Sequence, residues 1–286
     1  MALWGYIDDS GDGKDILTLS CLIADSPAWY YLGLEWEEFI AKKNSELVAT
    51  GRKSITRFHA ADCSSRLGEF KGWTTNEDQI PFMQGLLSMM ERYRFDVVGF
   101  TVDLKELAKY VPVSKPSPRA FAYVLLLHYI MIGIADGSLK NNRDAIISLI
   151  HDRSEYDSVL LDAFNILAKD ENYFAAAKRF CSIAPMSWEQ CIPLQQADLL
   201  AYENYKESRR SVSLRDRRKS LDWILERGQL GGFLKGFNAD ALTDVAKWFD
   251  ALDARIRQSF LRAARIPINP SKSKRPDPDC RVVKSR

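Results

Sequence analysis

The chain has 286 residues and a mass of 32.6 kDa, with 46% apolar and 11% aromatic residues, which excludes a disordered protein and allows one large core or two modest ones. Its formal net charge of +2 is too small to indicate a nucleic-acid partner by itself. No apolar stretch reaches the ~18 residues of a membrane span, and the first residues lack the basic and apolar segments of a secretory signal, so we expect a cytoplasmic protein without a membrane partner.

The first predicted elements form a β-hairpin followed by a helix. Leu3 to Asp8 reads as a strand, and Ser10 to Lys14 supplies the turn that leads into a second strand, Ile16 to Ala24. Apolar residues at helical spacing predict a helix over Pro27 to Lys43. Leu47 to Thr75 has no sustained period and is expected to be a long, partly irregular connection, a kind of segment that is often functional.

Helices and strands alternate through the middle of the chain, which predicts the α/β class. The expected elements in order are helix Asn76 to Tyr93, strand Phe95 to Val102, apolar helix Arg119 to Ala135, central strand Ile146 to Ile150, helix Tyr156 to Lys169, edge strand Arg179 to Met186 and helix Pro193 to Ser208. Together they make a main domain over residues 1–210.

The composition changes after this domain. Arg215 to Arg227 and Thr243 to Ala264 predict helices around a glycine-rich joint at residues 228–236, so we expect a helical appendage over residues 211–265. Residues 266–286 are rich in Pro, Lys and Arg and predict a disordered basic tail. The five cysteines are odd in number, widely spaced and without a Cys-x-x-Cys pair, and we expect reduced thiols.

Asp8 is the first candidate site residue. Along the first strand Trp4, Tyr6 and Asp8 alternate onto one face, which leaves the carboxylate at the strand's end. The structural alternative is a turn residue. A calcium-binding EF-hand loop is excluded, because its twelfth position requires Glu and this chain has Leu19 there.

Asp152 and Asp198 are the other two candidate acids. Asp152 ends an apolar strand, and open α/β sheets bind ligands at the carboxyl ends of their strands; its alternative role is to cap the following helix, in competition with Ser154. Asp198 lies between Ala197 and Leu199 on a helix, and a buried carboxylate there is costly unless it is paired or metal-bound. A solvated helix face is the alternative for Asp198.

Three carboxylates brought together repel one another unless a divalent cation neutralises them. A site with oxygen ligands alone suits Mg²⁺ or Mn²⁺, and two such ions about 4 Å apart can activate water and stabilise the leaving oxygen of a phosphodiester. Asp9 is either an additional ligand or a solvated turn residue.

Smaller candidates surround these acids. His59, in Phe-His-Ala-Ala-Asp with Asp62, would orient water, take a proton or contact phosphate, with a structural histidine as the alternative. Gln195 shares a helix face with Asp198 and would position water or phosphate. We interpret His151 as a core histidine and Asp103 as a helix cap.

Four segments together carry a family resemblance: Tyr-Ile-Asp-Asp-Ser-Gly (6–11), Phe-His-Ala-Ala-Asp (58–62), the strand-ending Asp152 and Leu-Gln-Gln-Ala-Asp-Leu-Leu-Ala-Tyr (194–202). Over residues 4–208 the chain resembles the microbial domain-of-unknown-function family numbered 3800. The resemblance implies a ribonuclease H-like mixed sheet flanked by helices, with functional roles at Asp8, Asp198, Asp152 and His59. The family's opening motif usually has Glu where this chain has Asp9.

The sequence therefore predicts a metal-dependent nuclease that hydrolyses DNA or RNA. The expected catalytic residues are Asp8, Asp152, Asp198 and His59, the metal ligands Asp8, Asp152, Asp198 and Asp9, and the substrate contacts Gln195 and Asp62. The alternatives are a non-catalytic nucleic-acid or protein-binding module and a phosphohydrolase of small nucleotides. Nucleic acid is the expected partner, and a homodimer is left open.

Overall fold

A computed structural model describes residues 1–93, 95–110, 117–137, 145–169, 176–213, 231–252 and 254–264. In this part of the chain six strands form one sheet in the order β5-β4-β1-β2-β3-β6. The strands are β1 (Ala2–Gly11), β2 (Ile16–Asp25), β3 (Asp96–Asp103), β4 (Ile146–Asp152), β5 (Phe180–Met186) and β6 (Gly231–Gly236).

The sheet is mixed. β1, β2 and β3 are antiparallel neighbours, whereas β4 runs parallel to β1, β5 parallel to β4, and β6 parallel to β3. The carboxyl ends of β1, β4 and β5 therefore lie at the same edge of the sheet. The predicted α/β class is confirmed.

Helices flank this sheet. They are α1 (Ser26–Ala49), α2 (Ala60–Ser65), α3 (Ile80–Arg92), α4 (Leu104–Tyr110), α5 (Pro118–Asp136), α6 (Asp157–Lys169), α7 (Ile192–Ser213), α8 (Ala239–Ala251) and α9 (Ala254–Ala263). The Asp25 side chain caps α1 by accepting from Ala28 N at 2.9 Å. α1 is longer than expected, and the predicted irregular connection contains α2.

The two faces of the sheet bury different helices because side chains alternate along each strand. On one face, Ile7 and Leu19 pack with α5, α6, α8 and α9. On the other, Leu22 and Val97 pack with α1, α3 and α7. By length and composition α5 would pass as a membrane span, but it is mostly buried against the sheet, as expected of a core helix.

The C-terminal region differs from the expectation of a purely helical appendage. Gly231–Gly236, expected as part of a joint, is instead strand β6 at the edge of the sheet. The expected helix from Thr243 to Ala264 is two helices, and Leu242, Phe249 and Phe260 join the core beneath α5. The sequence did not show β6 because a glycine-rich segment lacks apolar alternation. The predicted helix at 215–227 and the tail at 266–286 lie outside the described residues.

Gly232 allows a test of the β6 pairing. Its φ is 104°, and a Cβ there would collide with the Val97 carbonyl of β3. We expect Gly232→Ala to lower the free energy of unfolding by about 1 to 3 kcal/mol, as measured by urea denaturation. The matched control is Gly236→Ala, where a Cβ would meet nothing within 4 Å and the change should stay within about 0.5 kcal/mol. Equal stability of the two variants would contradict the pairing.

Candidate functional site

The sheet brings Asp8 and Asp152 to one edge. β1 and β4 pair in parallel with Tyr6 opposite Ile150 and Ile7 opposite His151, so Asp8 and Asp152 follow at the same level. Asp8 shares the face of Tyr6, which is the face that α7 covers. Asp198 reaches this place from α7, so acids distant in the sequence meet between the sheet and one helix.

Asp8 and Asp198 form a buried carboxyl pair. Their side chains are hydrogen-bonded to each other, and only 8% of Asp8 and 6% of Asp198 is exposed. Burial raises the pKa of Asp8 well above its usual value, and the charges of Asp198, Asp9 and Asp152 raise it further. Burial also raises the pKa of Asp198, against the opposing effects of His59 and the Ala60 backbone N–H. Such a pair needs a proton or a cation to be stable.

Asp198 also fixes the start of α2. Asp198 Oδ2 accepts from Ala60 N at 2.7 Å, which holds the 58–62 segment against α7. The neighbouring His59 places its Nδ1 3.0 Å from Asp62 Oδ2 and stacks on Trp188 at 5.2 Å between ring centroids. Asp62 and Trp188 thus fix the imidazole orientation, with Nε2 as the nitrogen that Asp62 does not engage.

These groups line a cleft of about 300 Å³. Its walls contain the four acids Asp8, Asp9, Asp152 and Asp198, together with His59 and Arg119. The lining of the cleft therefore combines four acids with one histidine and one arginine.

Asp152 and Asp9 are each held by further contacts. Asp152 Oδ1 accepts from Trp188 N at 3.0 Å, which ties this carboxylate to the segment after β5. Asp9 points to the opposite face of β1, where its side chain is hydrogen-bonded to Tyr123 and lies 3.7 Å from Arg119 Nη2. Asp9 borders the cleft from a direction different from that of Asp8.

Gln195 connects two segments that border the cleft. Its Oε1 accepts from Phe58 N at 2.9 Å, and its Nε2 donates to Trp188 O at 3.3 Å. Neither Gln195 nor Asp62 is among the residues that line the cleft. In this geometry Asp62 contacts the His59 ring, and Gln195 links the segments of Phe58 and Trp188. Direct substrate contact by Gln195 or Asp62 stays a prediction.

Two structural interpretations are confirmed. His151 is 2% exposed, and burial lowers its pKa, as expected of a core histidine. Asp103 Oδ1 accepts from Lys105 N at 2.8 Å and Glu106 N at 3.0 Å at the start of α4. Cys21, Cys181 and Cys191 are free thiols.

The fit of a divalent cation depends on the donor set. Among the residues that the structure describes, no three His, Cys, Asp or Glu side chains are grouped closely enough to hold a metal as they stand. Mg²⁺, however, commonly takes one or two carboxylates and completes its coordination with water and substrate phosphates. The Asp8 and Asp198 pair offers only oxygen donors and excess negative charge, so its chemistry fits such an ion.

The sequence interpretation missed Arg119 and Trp188. Arg119 lies in the first turn of α5 and Trp188 in a short 3₁₀ turn after β5, and both line the cleft. One sequence signal could have indicated a special role for Arg119. It is a basic residue at the start of an otherwise apolar helix, where the helix dipole favours acidic residues.

Comparison with known proteins adds no assignment: no protein-family model matches the chain, and no curated protein matches it at a significant level.

Proposed function

We propose that this protein is a metal-dependent nuclease that hydrolyses phosphodiester bonds of DNA or RNA in the cleft above β1 and β4. The observation that carries the proposal is the buried, hydrogen-bonded pair of Asp8 and Asp198 in the lining of an open cleft. Two buried carboxyls destabilise a protein unless a proton or a cation lies between them, so a catalytic use accounts for the pair better than a structural one.

Asp8 and Asp198 would hold Mg²⁺ or Mn²⁺, with Asp152 as a further ligand after its side chain turns from Trp188 N. When bound, the cation supplies charge neutralisation at the phosphate and lowers the pKa of water. Asp9 stays engaged with Tyr123 and Arg119, so we assign it to the positioning of that arginine more readily than to metal binding.

His59 would provide the proton transfer. Asp62 holds Nδ1 at 3.0 Å, and this contact leaves Nε2 to accept a proton from water or to donate one to the leaving oxygen. Stacking on Trp188 restricts the ring to this orientation. Gln195 keeps both segments in place through its two backbone contacts.

We further propose that the sheet is of the ribonuclease H-like class and that the chain is related to the family numbered 3800. The support is the antiparallel set of β1, β2 and β3 beside the parallel β1, β4 and β5, with carboxylates at the ends of β1 and β4.

The proposal is tested by incubating the purified protein with end-labelled single-stranded and double-stranded DNA and RNA. We expect cleavage products with Mg²⁺ or Mn²⁺ and none when EDTA replaces the metal, because the unneutralised acids would repel the phosphate backbone. Binding of nucleic acid without products under any metal condition would instead favour the non-catalytic module. Hydrolysis of mononucleotides alone would favour the small-nucleotide phosphohydrolase.

A further inference from the structure

Arg119 is the one Lys or Arg among the described residues that line the cleft. It projects from the first turn of α5, and its side chain is 21% exposed. Its guanidinium is hydrogen-bonded to Tyr123, lies 5.9 Å from the centre of the Tyr156 ring, and is 3.7 Å from Asp9 Oδ2. These contacts hold the guanidinium in place, and the arginine lines the cleft.

Among the described residues, these contacts use only part of the hydrogen-bonding capacity of the guanidinium. The carboxylate of Asp9 is beyond hydrogen-bond distance, so the pair lacks the short two-point geometry of a strong Arg–carboxylate contact. A guanidinium has several N–H donors in one plane, a fork that matches both carboxylate and phosphate groups. Of these two, phosphate is the group that a nucleic-acid backbone offers. A rigid, half-buried arginine also loses little conformational entropy when it binds.

The charges around it give the reason for an arginine here. Asp8, Asp9, Asp152 and Asp198 make the cleft acidic, and a bound cation at Asp8 and Asp198 would offset only part of that charge. A polyanionic substrate that enters this cleft needs a further positive group beside the acids. Arg119 lies on the wall next to Asp9, on the other side of β1 from the Asp8 and Asp198 pair.

We propose that Arg119 binds a single backbone phosphate of the substrate, adjacent to the phosphate that is cleaved, and so sets the register of the strand in the cleft. This inference rests on the proposed function for the identity of the substrate. Asp9 and Tyr123 act as positioning residues for the guanidinium.

The test uses an Asp8→Asn protein, in which we expect cleavage to be slow enough for binding to be measured, and fluorescent oligonucleotides in which one phosphate at a time is replaced by a neutral methylphosphonate. In the Asp8→Asn background we expect one position at which this replacement weakens binding about tenfold or more, the usual effect of losing a charge-assisted contact. After the additional Arg119→Gln change, binding of the unmodified oligonucleotide should be about tenfold weaker. Replacing the phosphate at that position should then no longer weaken binding.

Matched variants separate this role from a structural one. Lys109→Gln removes the same charge at an exposed residue of α4 that pairs with Glu106 and should leave the position-dependent profile unchanged. Arg119→Lys should retain part of the affinity, since the ammonium keeps the charge and loses the two-point geometry. A merely structural arginine would alter the melting temperature without altering which phosphate matters.

The inference is overturned if Arg119→Gln keeps the same sensitive position and affinity as its parent. Because the readout is binding, it is independent of the proposed catalysis. If the protein cleaves nothing but one phosphate position depends on Arg119, the nuclease function is rejected and the Arg119 contact is retained. If the protein cleaves nucleic acid but the profile is unchanged by Arg119→Gln, the nuclease function is retained and the Arg119 contact is rejected.

Discussion

Asp8→Asn and Asp198→Asn should each reduce metal-dependent cleavage roughly a thousandfold or more. A cation at this pair would contribute several kcal/mol to stabilising the transition state, and each ~1.4 kcal/mol corresponds to a factor of ten in rate. The double variant should be scarcely slower than either single variant, because the two carboxylates act as one unit. Initial rates with a labelled oligonucleotide in Mg²⁺ provide the measurement.

The control for this loss is Asp103→Asn. It makes the same change of charge at a residue that caps α4, where Asn caps as well as Asp does, and its cleavage rate should match that of the natural protein. It also controls for a contaminating nuclease, since all preparations are made alike. If Asp8→Asn and Asp198→Asn cleave at the rate of Asp103→Asn, the cleft is not the active site.

Without metal, Asp8→Asn should make the protein more stable at pH 8, by about 1 to 3 kcal/mol. Folding raises the pKa of the Asp8 carboxyl through burial and its acidic neighbours, so the folded state binds a proton more tightly than the unfolded state. Stability is then lost as the pH rises from the ordinary carboxyl pKa of about 4 through the raised value in the folded protein. The difference between the two proteins should therefore shrink as the pH is lowered toward about 4.

Metal should remove or reverse this difference in stability. A divalent cation at one hundred times its dissociation constant adds about 2.7 kcal/mol to the protein that binds it, so Mn²⁺ should raise the melting temperature of the natural protein much more than that of Asp8→Asn. Thermal denaturation in EDTA and in Mn²⁺, each at pH 8, measures both effects. An equal Mn²⁺ shift in the two proteins would count against metal binding by Asp8, whatever the cleavage assays give.

The acids of the site could be predicted from sequence because each has a strong local signature. Asp8 and Asp152 follow apolar strands, and Asp198 interrupts an apolar helix face, so their placement at a sheet edge needs only the rules of strand ends and helix periodicity. That Asp8 and Asp198 touch depends on how α7 crosses the sheet, which no local pattern contains.

Gln195 and Arg119 show why contacts of side chains were harder to predict. Gln195 shares a helix face with Asp198, as expected, but both ends of its amide bind the backbone of segments distant in the sequence. Arg119 is an ordinary helix-start residue until the pairing of β1 brings Asp9 beside it. Strand β6 is a similar case, because its glycine-rich segment forms a strand by pairing with the edge of β3.

The strand order also governs when the proposed nuclease activity could begin in a growing polypeptide. β1 is made first, yet its neighbour β4 and the covering helix α7 come from much later in the chain. During synthesis the N-terminal segments emerge first, and contacts between distant segments form slowly. A ribosome-bound nascent chain would thus carry Asp8 without its partner, and no cutting activity would arise near the messenger RNA until α7 had left the exit tunnel.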